Sequence, residues 1–152
     1  MAEKILNRIE KWELTYTHSM GETASHFFHE IKNHRRLVGR RAPKAGRVLM
    51  PPRAFSDIDF EETTDWVPVA NEGRIETFTI VCQQFPGMPA PPYAIGFVLL
   101  DGADTALGGF IRGVDLTEPR AAAEKLKIGT RVQVKYRDKP EGNVLDFWFE
   151  PA

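Results

Sequence analysis

Only one cysteine, Cys82, occurs in 152 residues, so no disulfide forms within the chain. Its strand-like surroundings give no cue for a stabilised thiolate, and the residue reads as a buried, inert thiol. No window approaches the roughly eighteen apolar residues of a membrane span. The N-terminal MAEKILNRIEKWE lacks the apolar run of a signal peptide. These absences predict a soluble, cytoplasmic protein. Charge is nearly balanced, at 20 basic and 21 acidic residues, so no global field drives the chain onto nucleic acid or an anionic membrane. Neither G-x-G-x-x-G nor a P-loop is present to cradle phosphates. His26 and His29 share a helix face with Glu30 nearby, but the His-Glu-x-x-His pattern of a metal helix is missing. Solvated or interface histidines are the simpler reading. Glu61-Glu62 sits in a polar segment with nothing to shift its pKa. No catalytic constellation emerges, and the chain reads as not an enzyme.

What is present is punctuation. Twelve glycines and eleven prolines among Thr-, Val-, Ile- and Phe-rich stretches favour a mostly β fold of about one domain. Residues 3–17 read as a short helix (Ile5, Ile9, Trp12) running into an extended arm. Ser19 to Glu22 spells a capping box, and a helix follows from about Met20 to Asn33. Its apolar stripe is Ala24, Phe27, Phe28 and Ile31. Two adjacent rings cannot both enter one narrow seam. The helix therefore either packs on its own domain or presents Phe27, Phe28 and Ile31 to a partner protein.

Charge then segregates. Eight Lys/Arg and no acid lie between Lys32 and Arg53; six acids and no base lie between Asp57 and Glu72. Within this region Ala42-Pro43-Lys44-Ala45-Gly46-Arg47 and Arg53-Ala54-Phe55-Ser56-Asp57-Ile58-Asp59 look like two facing knuckles. Cysteines at Ala42, Ala45, Ser56 and Asp59 would make a zinc ribbon. With these replacements the metal is expected to be absent. The basic and acidic segments would then pin the ribbon by pairing with each other.

From Trp66 onward strands dominate: Arg74–Gln84 with one parity slip that predicts a bulge, Tyr93–Leu100, Thr105–Arg112, Arg131–Arg137 and Val144–Phe149. A short helix lies between Asp115 and Lys127. Gly108-Gly109 predicts a close backbone approach. Val132, Val134 and Tyr136 read as inward. Five strands with a helix between the third and fourth is the order of an OB-fold barrel. The loop Phe85–Pro92, with four prolines, reads as stiff and extended.

Gly21, Phe27-Phe28, Gly46-Arg47, Pro51-Pro52-Arg53, Gly73 before Thr77-Phe78-Thr79, Phe85-Pro86, Pro91-Pro92-Tyr93, Leu99-Leu100-Asp101, Ile128-Gly129 and Phe147-Trp148-Phe149-Glu150-Pro151 follow one another in a specific order. By these residues the chain resembles the acyl-CoA-associated zinc-ribbon/OB-fold family, also known as domain of unknown function family thirty-five. It departs from that family in lacking the four zinc-ligand cysteines.

The resemblance and the spacing together divide the chain into an N-terminal helical arm (1–36), a degenerate, metal-free, rubredoxin-like ribbon (37–65) and a five-stranded OB-fold barrel (66–152). The resemblance implies a non-catalytic accessory subunit in a hetero-oligomer with a thiolase-like or ketoacyl-synthase-like enzyme. It also implies help in holding or channelling acyl-CoA, with coenzyme A thioester as the shared ligand and no zinc. Arginine forks suit the phosphates of coenzyme A. The residues expected to contact it are Arg41, Arg47, Arg53, Phe85, Pro92, Tyr93 and Arg112. An OB barrel also suits single-stranded nucleic acid. Arg74, Arg112, Arg131, Lys135 and Arg137 would serve that alternative, against the repulsion of the acidic 57–72 segment. A free-standing thioesterase-like enzyme is the third reading.

Overall fold

The structure, a computed structural model, describes residues 5–152. Residues 5–20 form no regular element. The short helix expected there is not formed from residue 5 onward, and residues 3 and 4 lie outside the described residues. A helix this short is marginal without tertiary packing, and the arm has none: Ile5, Ile9 and Trp12 are 84%, 98% and 76% exposed.

Helix α1 spans Gly21–His34. The expected capping box is not made. Gly21 has a left-handed backbone (φ 73°), which takes Ser19 out of helical register. The Ser19 hydroxyl instead accepts from the Gly21 amide at 3.3 Å. The apolar stripe packs inward: Phe27 and Ile31 are 5% and 0% exposed. Phe28 is half-buried, edge-on to Phe27 at 5.3 Å. The expectation of an exposed aromatic pair is corrected by this burial. α1 docks on its own protein through Phe27 and Ile31, and the second ring shares the same contact by turning its edge.

Strand β1 (Val38–Arg41) is the centre of a three-stranded antiparallel sheet, flanked by β2 (Val48–Leu49) and β5 (Trp66–Pro68). A hairpin of β3 (Phe55–Ser56) and β4 (Glu61–Glu62) lies alongside in sequence. The turns after β1 and β3 are joined by one carboxylate. Asp59 accepts the amides of Lys44 at 2.9 Å and Ala45 at 3.2 Å. The Ser56 hydroxyl accepts the Asp59 amide at 3.2 Å. Of the expected charge network, Lys44–Glu61 and Arg53–Asp57 form, both exposed and therefore weak contributors. Backbone bonds between Arg41 and residues Thr64 and Asp65, at 2.9 and 3.0 Å, carry the register instead.

The rest is a closed barrel of β6 (Glu72–Val81), β7 (Tyr93–Leu100), β8 (Leu107–Ile111), β9 (Arg131–Tyr136) and β10 (Phe147–Pro151), in the order β10-β8-β7-β6-β9. β9 pairs with β10 to close it, and only the β8–β10 pair is parallel. Helix α2 (Pro119–Lys125) sits between β8 and β9, the OB-fold order. The bulge falls between Ile75 and Thr77. Ile75, Val98, Leu100, Val132 and Phe149 fill the interior at 0–1% exposure. At Gly109 a Cβ would lie 2.8 Å from the Phe149 ring, so only glycine lets the two strands approach. Tyr136 shares the inward parity of Val132 and Val134 and packs half-buried against the core. Its hydroxyl donates to Asn71 Oδ1 at 2.7 Å, and burial pushes its pKa up. Phe27, Ile31, Leu37, Val38 and Met50 belong to one apolar cluster with the barrel interior. No helix among the described residues is long and apolar enough to cross a membrane.

The approach to β10 is pinned by Asp146, which is fully buried. Burial alone would raise its pKa. The amides of Glu141, Gly142 and Asn143 donate to Oδ2 at 2.9, 2.5 and 2.9 Å, and with Arg137 they hold it below the usual carboxylate value. Because the folded pKa is depressed, the stability it adds is present above the ordinary carboxylate pKa and lost as pH falls through the folded value. Asp146→Asn is expected to lower unfolding free energy at pH 7 by about 1–3 kcal/mol, read by urea denaturation. The gap to wild type should narrow as pH falls below about 4. Asp59→Ala should cost about 1 kcal/mol and raise amide exchange at Lys44 and Ala45 before any barrel amide.

Candidate functional site

The arginines singled out between residues 37 and 65 serve the fold. Arg41 donates to the Gly46 carbonyl at 2.9 Å and Arg47 to the Asp104 carbonyl at 3.0 Å, while Arg53 pairs with Asp57. None of the three lines a groove described here. The knuckle residues do not fit a metal: Ala42 and Ala45 have no donor atom. The Ser56 hydroxyl is buried and bonded to the Asp59 amide, and the Asp59 carboxylate is engaged by two amides. Among the described residues no cluster of three or more His, Cys, Asp or Glu side chains is arranged to hold a metal ion.

The barrel arginine is different. Arg112 follows β8, and its amide is fixed to the Phe149 carbonyl at 2.8 Å. Its guanidinium lies over the Trp148 ring at 4.5 Å. Trp148 is itself oriented by Nε1, which donates to Glu150 at 2.7 Å. Among the described residues Arg112 makes no ion pair, and it lines an adjoining groove of about 280 Å³. Pro89, Pro92, Tyr93, Phe110, Val114 and Leu116 form the rest of that wall. The structure thus brings Pro92, Tyr93 and Arg112 together. Phe85 stays outside, half exposed. The loop is not extended throughout, since a turn closes at Pro86-Gly87, and Gln84 donates to the carbonyls of Phe85 and Met88.

Beyond Phe110 the outer face of β6–β7–β8 carries a second, apolar groove of about 470 Å³. Met88, Ile95, Phe97, Gly108, Phe110 and Val144 line it, with Thr77 and Thr79 its only polar side chains. The sequence reading named the strand Tyr93–Leu100 but could not place Met88 and Val144 beside Phe97.

A third, polar groove of about 540 Å³ lies between α1, the β2–β1–β5 sheet and the β3–β4 hairpin. There His26 stacks on Trp66 at 4.1 Å, and Arg40 lies 4.9 Å from the same ring while donating to Thr63. Nearby Glu30 is buried and accepts from Arg36, which holds its carboxyl below the usual range against the effect of burial; His34 and His26 add to this. Sequence reasoning missed this arrangement, whose members are scattered over α1, β1 and β5. Cys82 is exposed, correcting the expectation of a buried thiol: it lies just past the end of β6. The other barrel arginines are paired: Arg74 with Glu76 at 3.0 Å, Arg131 with Asp101 at 2.6 Å, Arg137 with Glu141 at 3.1 Å.

Residues 66–137 match the family model for the C-terminal OB-fold domain of ChsH2. No curated protein matches the chain. Among solved structures it is similar to a chain of "Ltp2-ChsH2(DUF35) aldolase", with TM-score 0.62, 20% identity, and coverage of 88% of this chain and 98% of that one. It is also similar to a DUF35-family protein of unknown function from Sulfolobus solfataricus, with TM-score 0.63, 18% identity and 87% coverage of each chain. The Arg112 groove and the apolar strip therefore lie on a barrel that matches the C-terminal OB-fold domain of ChsH2 over residues 66–137, and the chain shares its fold with the DUF35-family structures.

Proposed function

We propose that the chain is a non-catalytic accessory subunit that binds a thiolase-like or ketoacyl-synthase-like enzyme and helps hold its acyl-CoA substrate. The observation that carries this reading is the arm. Ile5, Leu6, Ile9, Trp12, Leu14 and Tyr16 are all at least 75% exposed on a protein whose own core is already filled. That much apolar side chain in water marks an interaction surface. Ile5, Ile9 and Trp12 recur at helical spacing, which suits a segment that becomes a helix on meeting an apolar groove. The arm thus takes over the partner-facing role first assigned to Phe27, Phe28 and Ile31. One similar protein bears a second protein's name, Ltp2, beside ChsH2(DUF35). This is an analogy of fold and name, and supports the reading only as such.

The groove at Arg112 suits the cargo. A guanidinium without an ion pair attracts a phosphate or a thioester oxygen, and Pro92 and Tyr93 offer an apolar wall beside it. The single-strand nucleic-acid reading has weaker support, because Arg74, Arg131 and Arg137 are neutralised by neighbouring acids. We further propose that the ribbon works without zinc, with Asp59 holding the two turns.

The test is co-purification from the native cell. A condensing or thiolytic enzyme should come down with the tagged chain. Trp12→Asp combined with Ile9→Asp should weaken the complex by about thirtyfold or more, as for the loss of an aromatic anchor, with the thermal melt unchanged. Capture of no such enzyme, or capture indifferent to both changes, would contradict the proposal. Elemental analysis of the purified chain, free of its partner, should give far less than one zinc per chain; one tightly held equivalent would overturn the metal-free ribbon.

A further inference from the structure

We infer that the β3–β4 hairpin and the polar groove beside it form a docking surface for a basic, amphipathic segment of a partner protein. This contact is separate from the arm and does not depend on the partner being an acyl-CoA enzyme.

The turn at the hairpin tip holds a ring in water at a cost to the chain. Phe60 has a left-handed backbone, φ 56°. A bulky side chain there is an outlier, because its Cβ crowds the following carbonyl. The only other non-glycine residue with a positive φ among the described residues is Arg35, at the C-cap of α1, where that conformation is ordinary. The turn is tied down on both sides of Phe60. The Phe60 amide donates to the Ser56 carbonyl at 2.9 Å, and the Asp59 carboxylate is held by the Lys44 and Ala45 amides. No packing offsets the strain, since Phe60 is 77% exposed. Strain kept where the fold gains no contact points to a role in binding. Phe55 and Ile58, on the same hairpin, are half exposed as well.

Charge selects the partner. Residues 57–65 hold five acids and no base. Asp57 and Glu61 are paired with Arg53 and Lys44, and Asp59 with amides. Glu62 lies opposite Phe55 in the hairpin and makes no ion pair among the described residues. Glu22, in the first turn of α1, makes none either. Both line the groove of about 540 Å³, and so does Phe55. The apolar hairpin therefore runs into a groove with two uncommitted carboxylates. His26 and Arg40 line the groove too, but both are stacked on the Trp66 ring, and Arg40 is also bonded to Thr63. An acidic face repels nucleic acid and anionic lipid. Its complement is an apolar anchor flanked by Lys or Arg, as on an amphipathic helix.

The experiment titrates the isotope-labelled full chain with three synthetic helical peptides, followed by the amide resonances. The peptides share one leucine stripe and differ in a polar face of Arg, Gln or Glu. The Arg peptide should bind tighter than the Gln peptide by about tenfold or more, and the Glu peptide should bind weakest. Shifts should centre on Phe55, Ile58, Phe60, Glu62 and the Trp66 indole. Glu22→Gln combined with Glu62→Gln should erase the advantage of Arg. Phe60→Gly should weaken the Arg peptide by about fivefold or more, yet leave the urea midpoint of the chain equal to wild type or higher, because glycine relieves the left-handed backbone. Phe60→Asn, which tolerates that backbone, is the second variant. A fall in midpoint for both variants would show that the ring serves its own fold, and would overturn the inference. Equal affinity for the three peptides, shifts confined to the arm, or binding of none would overturn it too. A concentration-dependent dimer in sedimentation, lost in Phe60→Gly, would give the surface to a second copy instead. Each of these failures leaves the accessory-subunit reading, which rests on the arm, standing.

Discussion

A closed barrel has no free edge and, when small, no interior to offer. Here Phe149, Ile75, Val98, Leu100 and Val132 fill the space that the five strands enclose. Gly109 permits it, because the β8 backbone must come against the Phe149 ring. Closure removes the unpaired strand groups that would recruit a neighbour by β-augmentation. Anything this domain binds must therefore lie on its outside. The outer strip of β7 and β8 and the arm leave apolar side chains in water, as do Phe55 and Phe60 of the β3–β4 hairpin and Ile128.

The front of the molecule solves a different problem. Its two turns hold their positions by a carboxylate receiving amides, reinforced by the backbone bonds of Arg41 to Thr64 and Asp65. A metal joins such turns through four strong bonds. An Asp59 carboxylate joins them through weaker and more exposed ones. The shared apolar cluster of Phe27, Ile31, Leu37 and Met50 with the barrel interior compensates, since the front then does not need a core of its own. Asp146 does the equivalent work at the back, where three amides in one turn set the start of β10.

Much of this was legible in the chain. Alternation gave the five barrel strands, the parity slip gave the bulge at Ile75–Thr77, and Gly108-Gly109 gave the close approach. What was not legible depends on competition in space. Phe27 and Phe28 looked like too much aromatic surface for one seam, yet an edge-on contact lets both meet the core. Ser19 and Glu22 had the spelling of a capping box, but the backbone at Gly21 leaves helical geometry between them. Arg41, Arg47 and Arg53 looked like anion ligands and prove to be bonded to nearby carbonyls and an acid. Arg112 was legible as a candidate, but its seat over the Trp148 ring, which Glu150 orients, became visible only in the structure. The polar groove at Trp66, His26 and Arg40 left no mark in any local pattern.

The most direct measurement of the central claim is steady-state turnover of an acyl-CoA by three samples: the purified chain, its captured enzyme, and the two recombined. The account expects no turnover by the chain alone, low turnover by the enzyme alone and a several-fold rise on recombination. Turnover by the purified chain that persists when the captured enzyme is rigorously absent would contradict it.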